Sequence, residues 1–197
     1  MTRRMAEVKT QVKALLDQGW EVYTADEVRL EYEAWTRRMQ PPKGQRTKLS
    51  VDRQRTSQSF FGALPPTSRT VTLYPIEVNR DTEQTILALE RLQRETETEK
   101  IAVVLDNARF HHAKALTGLH GPGQLLESIT SVLLPPYAPD HNPVEHVWNA
   151  AKSNIANIQR ETLEETFGAF ASYVTGRTVD HDFEHLPLRE TRNDFVS

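Results

Sequence analysis

Five consecutive apolar residues, Ile101–Leu105 (IAVVL), constrain this chain more than any other stretch. The run is short for a helix and lacks the alternation of a strand with one wet face. It therefore reads as a strand covered on both faces of a sheet. Residues 129–134 (ITSVLL) read the same way and are closed by Pro135-Pro136. Covering both faces takes helices, and the sequence supplies them. Apolar steps of three and four at Met5, Val8, Val12, Leu15 and Leu16 predict a helix over residues 4–18, stopped by Gly19. Asp81 or Thr82 can cap a second, with a stripe of Ile86, Leu87, Leu89 and Leu92. A short helix over residues 112–119 ends at Gly121-Pro122-Gly123. Asn142-Pro143 opens another, with proline in the first turn where its missing N–H does no harm. Its stripe is Val144, Val147, Trp148, Ala151 and Ile155, and a last helix covers residues 163–174.

Residues 20–25 (WEVYTA) read as a further strand that ends at the acids Asp26-Glu27. Two more strand-like runs, residues 57–64 and 70–78, flank Pro65-Pro66. The order strand, hairpin, helix, strand, helix, strand, helix predicts an α/β fold with helices packed on a mixed sheet. The expected organisation is an N-terminal helix within residues 1–19, one folded unit over 20–175, and a polar, extended or frayed tail over 176–197.

Composition narrows the function classes. Of 197 residues, 38 % are hydrophobic and 26 % charged, which suits a folded chain rather than a disordered one. No apolar run approaches the ~20 residues needed to span a bilayer. The basic N-terminus has no uninterrupted apolar core of a signal peptide, so a cytoplasmic address is expected. The absence of cysteine removes disulfides, thiolate zinc sites and cysteine nucleophiles, leaving carboxylates and histidines as metal ligands. The net charge of −3 does not by itself suggest a nucleic-acid binder. Residues 36–56 nevertheless carry seven basic side chains (from Arg37 to Arg55) against one acid, Asp52. That excess suits phosphates, or equally a solvated hairpin and loop.

Three acids fall where predicted elements end or begin. Asp26 follows the first strand, Asp106 follows IAVVL, and Glu145 lies in the first turn of the Asn142-Pro143 helix. Acids beyond the carboxyl ends of strands are well placed for a site in an open α/β sheet, and a helix N-terminus favours a carboxylate. Each also has a plain reading as a surface or dipole-satisfying acid. Gathered together, three carboxylates repel one another until something neutralises them, and a hard divalent cation with oxygen ligands does this well. Glu145, Asn149 and Lys152 share one helix face at steps of four and three. His181 and His185, spaced for one helix face and set among Asp180, Asp182 and Glu184, form a weaker zinc candidate. There is no Gly-rich phosphate loop and no Ser-His-Asp arrangement.

The segment LDNARFH at residues 105–111 resembles the LDNARxH block of mariner-like transposases and their bacterial insertion-sequence relatives. LPPYAPDHNPVEHVW at 134–148 is similar to their LPPYSPxLNPIExxW block, and Asp26-Glu27, Trp35 and Lys43-Gly44 match the first block in order and approximate spacing. The resemblance covers about residues 20–160 and implies a ribonuclease-H-like fold, a mixed sheet with flanking helices. It implies that Asp26, Asp106 and Glu145 bind two Mg²⁺ ions, with Mn²⁺ able to substitute and Asp26 bridging the pair. The chemistry implied is hydrolysis at transposon ends followed by strand transfer, with DNA ends and target as partners and a homodimer in the synaptic complex. Asn107 and His111 then become candidates to orient Asp106 or contact phosphate. Asn142 is a candidate N-cap or DNA contact, and Lys152 can reach the DNA backbone or simply be solvated. Trp148 reads as core packing rather than base stacking.

Two departures matter. Thirty-eight residues separate Asp106 from Glu145, with the extra length assigned to the loop over 117–124. Family members also carry N-terminal helix-turn-helix units, whereas one short helix precedes Asp26 here. The resemblance thus implies the catalytic half, with end recognition on a separate helix-turn-helix polypeptide. The alternatives are an inactive or truncated remnant that binds nucleic acid or interferes with a full-length enzyme, and a ribonuclease-H-like nuclease outside transposition.

Overall fold

The computed structural model describes residues 3–32, 56–66, 68–76, 82–106, 114–135, 142–156 and 162–179. Its elements run α1 (Arg3–Asp17), β1 (Glu21–Tyr32), β2 (Thr56–Leu64), β3 (Thr72–Ile76), α2 (Thr82–Glu95), β4 (Ile101–Leu105), α3 (Lys114–Thr117), β5 (Ile129–Leu133), α4 (Pro143–Ala156) and α5 (Leu163–Thr175). The strands form one sheet in the order β3-β2-β1-β4-β5. β1, β2 and β3 are antiparallel, while β4 and β5 lie parallel to β1 and to each other. The expected mixed sheet with flanking helices is therefore present.

Both faces of the sheet are covered, which explains why IAVVL is buried at all five positions. Alternation along each strand sorts the side chains. Tyr23, Ala25, Phe61, Val103 and Leu105 turn to one face, under α2 and α3. Val22, Ala102, Val104 and Val132 turn to the other face, under Met5, Val8 and Val12 of α1. Further along that second face, Val28, Leu30 and Phe60 lie under Val147, Trp148, Phe170 and Val174 of α4 and α5. Gly19 closes α1 with φ of 81°, a left-handed turn that glycine adopts without strain.

Three expectations are corrected. β1 does not stop at Ala25: it continues to Tyr32, because its ladder with β2 runs from Thr24↔Leu64 to Tyr32↔Thr56. Asp26 is thus inside a strand, not after it. In α2, Ile86, Leu89 and Leu92 face the core as expected, but Thr85 and Ala88 are buried with them and Leu87 is 49 % exposed. The helix expected over 112–119 is four residues long among those described. At the start of the tail Thr178 bridges Thr70, and the Val179 N–H donates to the Arg69 carbonyl at 2.8 Å; residues 180–197 lie outside those described. Among the described residues no helix is long and apolar enough to cross a membrane.

Candidate active site

The site lies where β4 ends and β1 continues. Parallel pairing between the two strands stops at Thr24↔Val104, and Asp106 follows the last residue of β4. Asp26 comes two residues beyond that last pair, on the face covered by α4. There β1 has a β2 neighbour on one side only, the pairing with β4 having ended at Thr24. Asn142 makes the join. Its Nδ2 donates to the Ala25 carbonyl at 3.1 Å, and its Oδ1 accepts from the Val144 N–H at 3.3 Å. One side-chain amide thereby caps the helix and supplies a donor where a neighbouring strand is missing. It is only 1 % exposed, so it works inside the fold. It also sets the first turn of α4, and hence Glu145, against the strand that carries Asp26.

Trp148 lies one turn along α4, its indole packed in the core, and its Nε1 donates to Asp26 Oδ2 at 3.0 Å. The core reading of Trp148 holds, but it leaves out this contact. Gly62 is directly across the ladder from Asp26 and provides the room: a Cβ there would lie 2.6 Å from Cζ2 of the indole. Sequence reasoning overlooked Gly62. A glycine inside the run SFFGAL was the available signal, since glycine within a strand often marks close approach by another group.

Asp26 is the electrostatic centre. Burial pushes its carboxyl up to about 7. The Glu27 backbone N–H draws it down, the charges of Asp106 and Glu145 each push it up, and the Trp148 N–H draws it down. The three acids expected from the sequence are thus close enough for the other two to act on Asp26. Asp26, Glu145, Trp148, Asn149, Lys152 and Arg29 line a cleft of about 310 Å³. Lys152 is exposed on its wall, as the helical spacing from Glu145 predicts. Glu27 also borders the cleft, and its side chain accepts from Thr85 Oγ1 of α2 at 2.8 Å. Asn107, His111, Trp35, Lys43-Gly44, the basic residues from Arg37 to Arg55, and the His181/His185 pair lie outside the described residues.

Oxygen donors around a partly buried anion suit a hard divalent cation. Among the described residues, no three His, Asp or Glu side chains group tightly enough to cage a single ion. A divalent ion held there would need outside oxygens to complete its shell, since the described side chains form no closed cage.

This sheet order, antiparallel β3-β2-β1 continued by parallel β4 and β5 with helices on both faces, is a ribonuclease-H-like fold. Solved structures carry the same fold. The Mos1 strand transfer complex superposes with a TM-score of 0.55 at 16 % identity, over 92 % of this chain and 54 % of that one. A mariner Mos1 paired-end complex with Mg gives 0.52 at 16 %, over 93 % and 58 %. A chain of the simian T-cell lymphotropic virus intasome, in complex with PP2A regulatory subunit B56 gamma, gives 0.52 at 9 %, over 90 % and 60 %. The present chain thus spans just over half the length of the Mos1 chain. No curated protein matches its sequence. Residues 21–166 match the family described as DDE superfamily endonuclease, and the chain belongs to that family.

Proposed function

We propose that this chain is the catalytic domain of a transposase, a metal-dependent DNA endonuclease and strand transferase acting at transposon ends. The observation that carries the reading is the mutual influence of three carboxylates: Asp26 is driven up by burial and by Asp106 and Glu145. Such an arrangement opposes its own charge unless a cation joins it. Asp26, Asp106 and Glu145 would hold two Mg²⁺ ions, with Mn²⁺ able to substitute. Bound there, such ions make an attacking oxygen more nucleophilic and stabilise the departing one in a phosphodiester displacement.

The chain's own side chains do the rest. Trp148 and the Glu27 N–H hold the Asp26 carboxylate, and Asn142 holds the start of α4 against β1. Lys152 and Arg29, on the cleft wall, would meet backbone phosphates. The reaction requires no protein nucleophile. Water attacks the scissile phosphorus and the 3′-oxygen leaves as a hydroxyl; that hydroxyl then attacks a target phosphodiester, joining one end as another is released. The partners are transposon-end and target DNA, a second copy of the chain in a synaptic homodimer, and a helix-turn-helix polypeptide that selects the ends.

Supercoiled plasmid incubated with the chain and Mg²⁺ or Mn²⁺ should be nicked, with EDTA abolishing the reaction. Asp106→Asn should lower nicking by several orders of magnitude. Unchanged nicking in that variant would sink the assignment. Nicking without any strand transfer to a second plasmid, when donor ends are supplied, would favour a nuclease outside transposition.

A further inference from the structure

We infer that Gly62 and Trp148 form a positioning pair for Asp26: the glycine leaves the seat in which the indole lies, and the indole N–H fixes one oxygen of the carboxylate. The inference rests on the reading of Asp26 as a metal ligand given above.

Three observations meet at this point. Gly62 is the direct ladder partner of Asp26, so the two share one face of the sheet. The indole occupies the space that any side chain at position 62 would take, since a Cβ there would crowd both Cζ2 and Cη2. Phe170, itself fully buried, packs against the indole with ring centroids 5.9 Å apart and helps to hold it in that seat. A tryptophan serving only as filler needs some acceptor for its N–H, and a backbone carbonyl would do. Here the acceptor is instead the carboxylate that faces the cleft.

The physical need is clear from the neighbouring charges. A carboxylate repelled by two others swings away from them when its side-chain torsions are free. A donor fixed in the core removes that freedom before any ion arrives, and groups that orient a metal ligand in this way typically govern affinity by about 10- to 100-fold. Trp148 is therefore a positioning residue that acts through Asp26.

The test separates shape from hydrogen bonding. Benzothienylalanine in place of Trp148 keeps the bicyclic ring and deletes only the N–H. Mn²⁺ binding by calorimetry should weaken about 10- to 100-fold with the thermal midpoint nearly unchanged. Gly62→Ala, which displaces the indole, should weaken binding similarly. In the unsubstituted, ¹⁵N-labelled chain, one of the three indole N–H resonances should move as Mg²⁺ is added, and the same resonance should move in Asp26→Asn. Wild-type Mn²⁺ affinity in the benzothienylalanine protein, with binding lost in Asp26→Asn, overturns the inference and leaves the site reading standing. Indole resonances that stay fixed while Mg²⁺ binds overturn it too, without relying on a variant that folds. If Asp26→Asn binds Mn²⁺ like the wild type, the site reading falls and the inference with it.

Discussion

Burial and the charges of Asp106 and Glu145 push the Asp26 carboxyl up to about 7, against an ordinary value of 3.8. A carboxyl raised on folding binds a proton more tightly in the native chain than in the unfolded one. Without metal, the contribution of Asp26 to stability is then most favourable below pH 4, falls as pH rises between about 4 and 7, and carries the full penalty above that. Asp26→Asn removes the charge and keeps an acceptor for the Trp148 N–H. At pH 8 in EDTA it should raise unfolding free energy by about 2–4 kcal/mol, a gain that fades toward pH 4. Urea denaturation of both proteins across that range measures it. A variant no more stable than the wild type at pH 8 would show that Asp26 carries no buried-charge penalty. Added Mg²⁺ should stabilise the wild type more than the variant, because an ion that binds only the native state shifts folding by mass action.

Between elements, Asn142 is the fastener of α4 to β1. Asn142→Ala leaves the Ala25 carbonyl and the Val144 N–H without this partner and should cost about 2–3 kcal/mol. Thermal unfolding reads that cost. Mn²⁺ affinity should drop alongside it, because the first turn bearing Glu145 loses its tie to β1. The helix cap at Asn142 and the strand before Asp106 were legible in the sequence, since caps and apolar runs are local signals. The length of β1 was not. Asp26 and Glu27 break the apolar pattern, and only pairing with a β2 strand that begins at Thr56 carries β1 on to Tyr32. In the α2 stripe Ile86, Leu89 and Leu92 do pack on the core, but Leu87 was misread, since the helix turns Thr85 inward to meet Glu27 and leaves Leu87 exposed. The Trp148–Asp26 hydrogen bond joins residues 122 positions apart and leaves no local trace.

Across the whole molecule, the second face of the sheet does two tasks at once. The cluster that holds α4 and α5 to β1 and β2 also supports the indole beside the cleft. Phe170 joins them, with ring centroids 5.5 Å from Phe60 and 5.9 Å from Trp148. Phe170→Ala should therefore destabilise the fold by about 3–5 kcal/mol in urea titrations. It should also weaken Mn²⁺ binding, although residue 170 is not among those lining the cleft. Loss of stability with unchanged ion affinity would show that the core and the site are independent. Gly62 extends this coupling to inheritance. Its bare Cα is fitted to an indole 86 positions later, so a methyl gained at 62 is tolerable only after residue 148 has become smaller. A change to a smaller ring first gives up the N–H that Asp26 uses. Each single step toward another pairing is thus disfavoured, and the two positions should behave in a double-mutant cycle as one inherited unit rather than two.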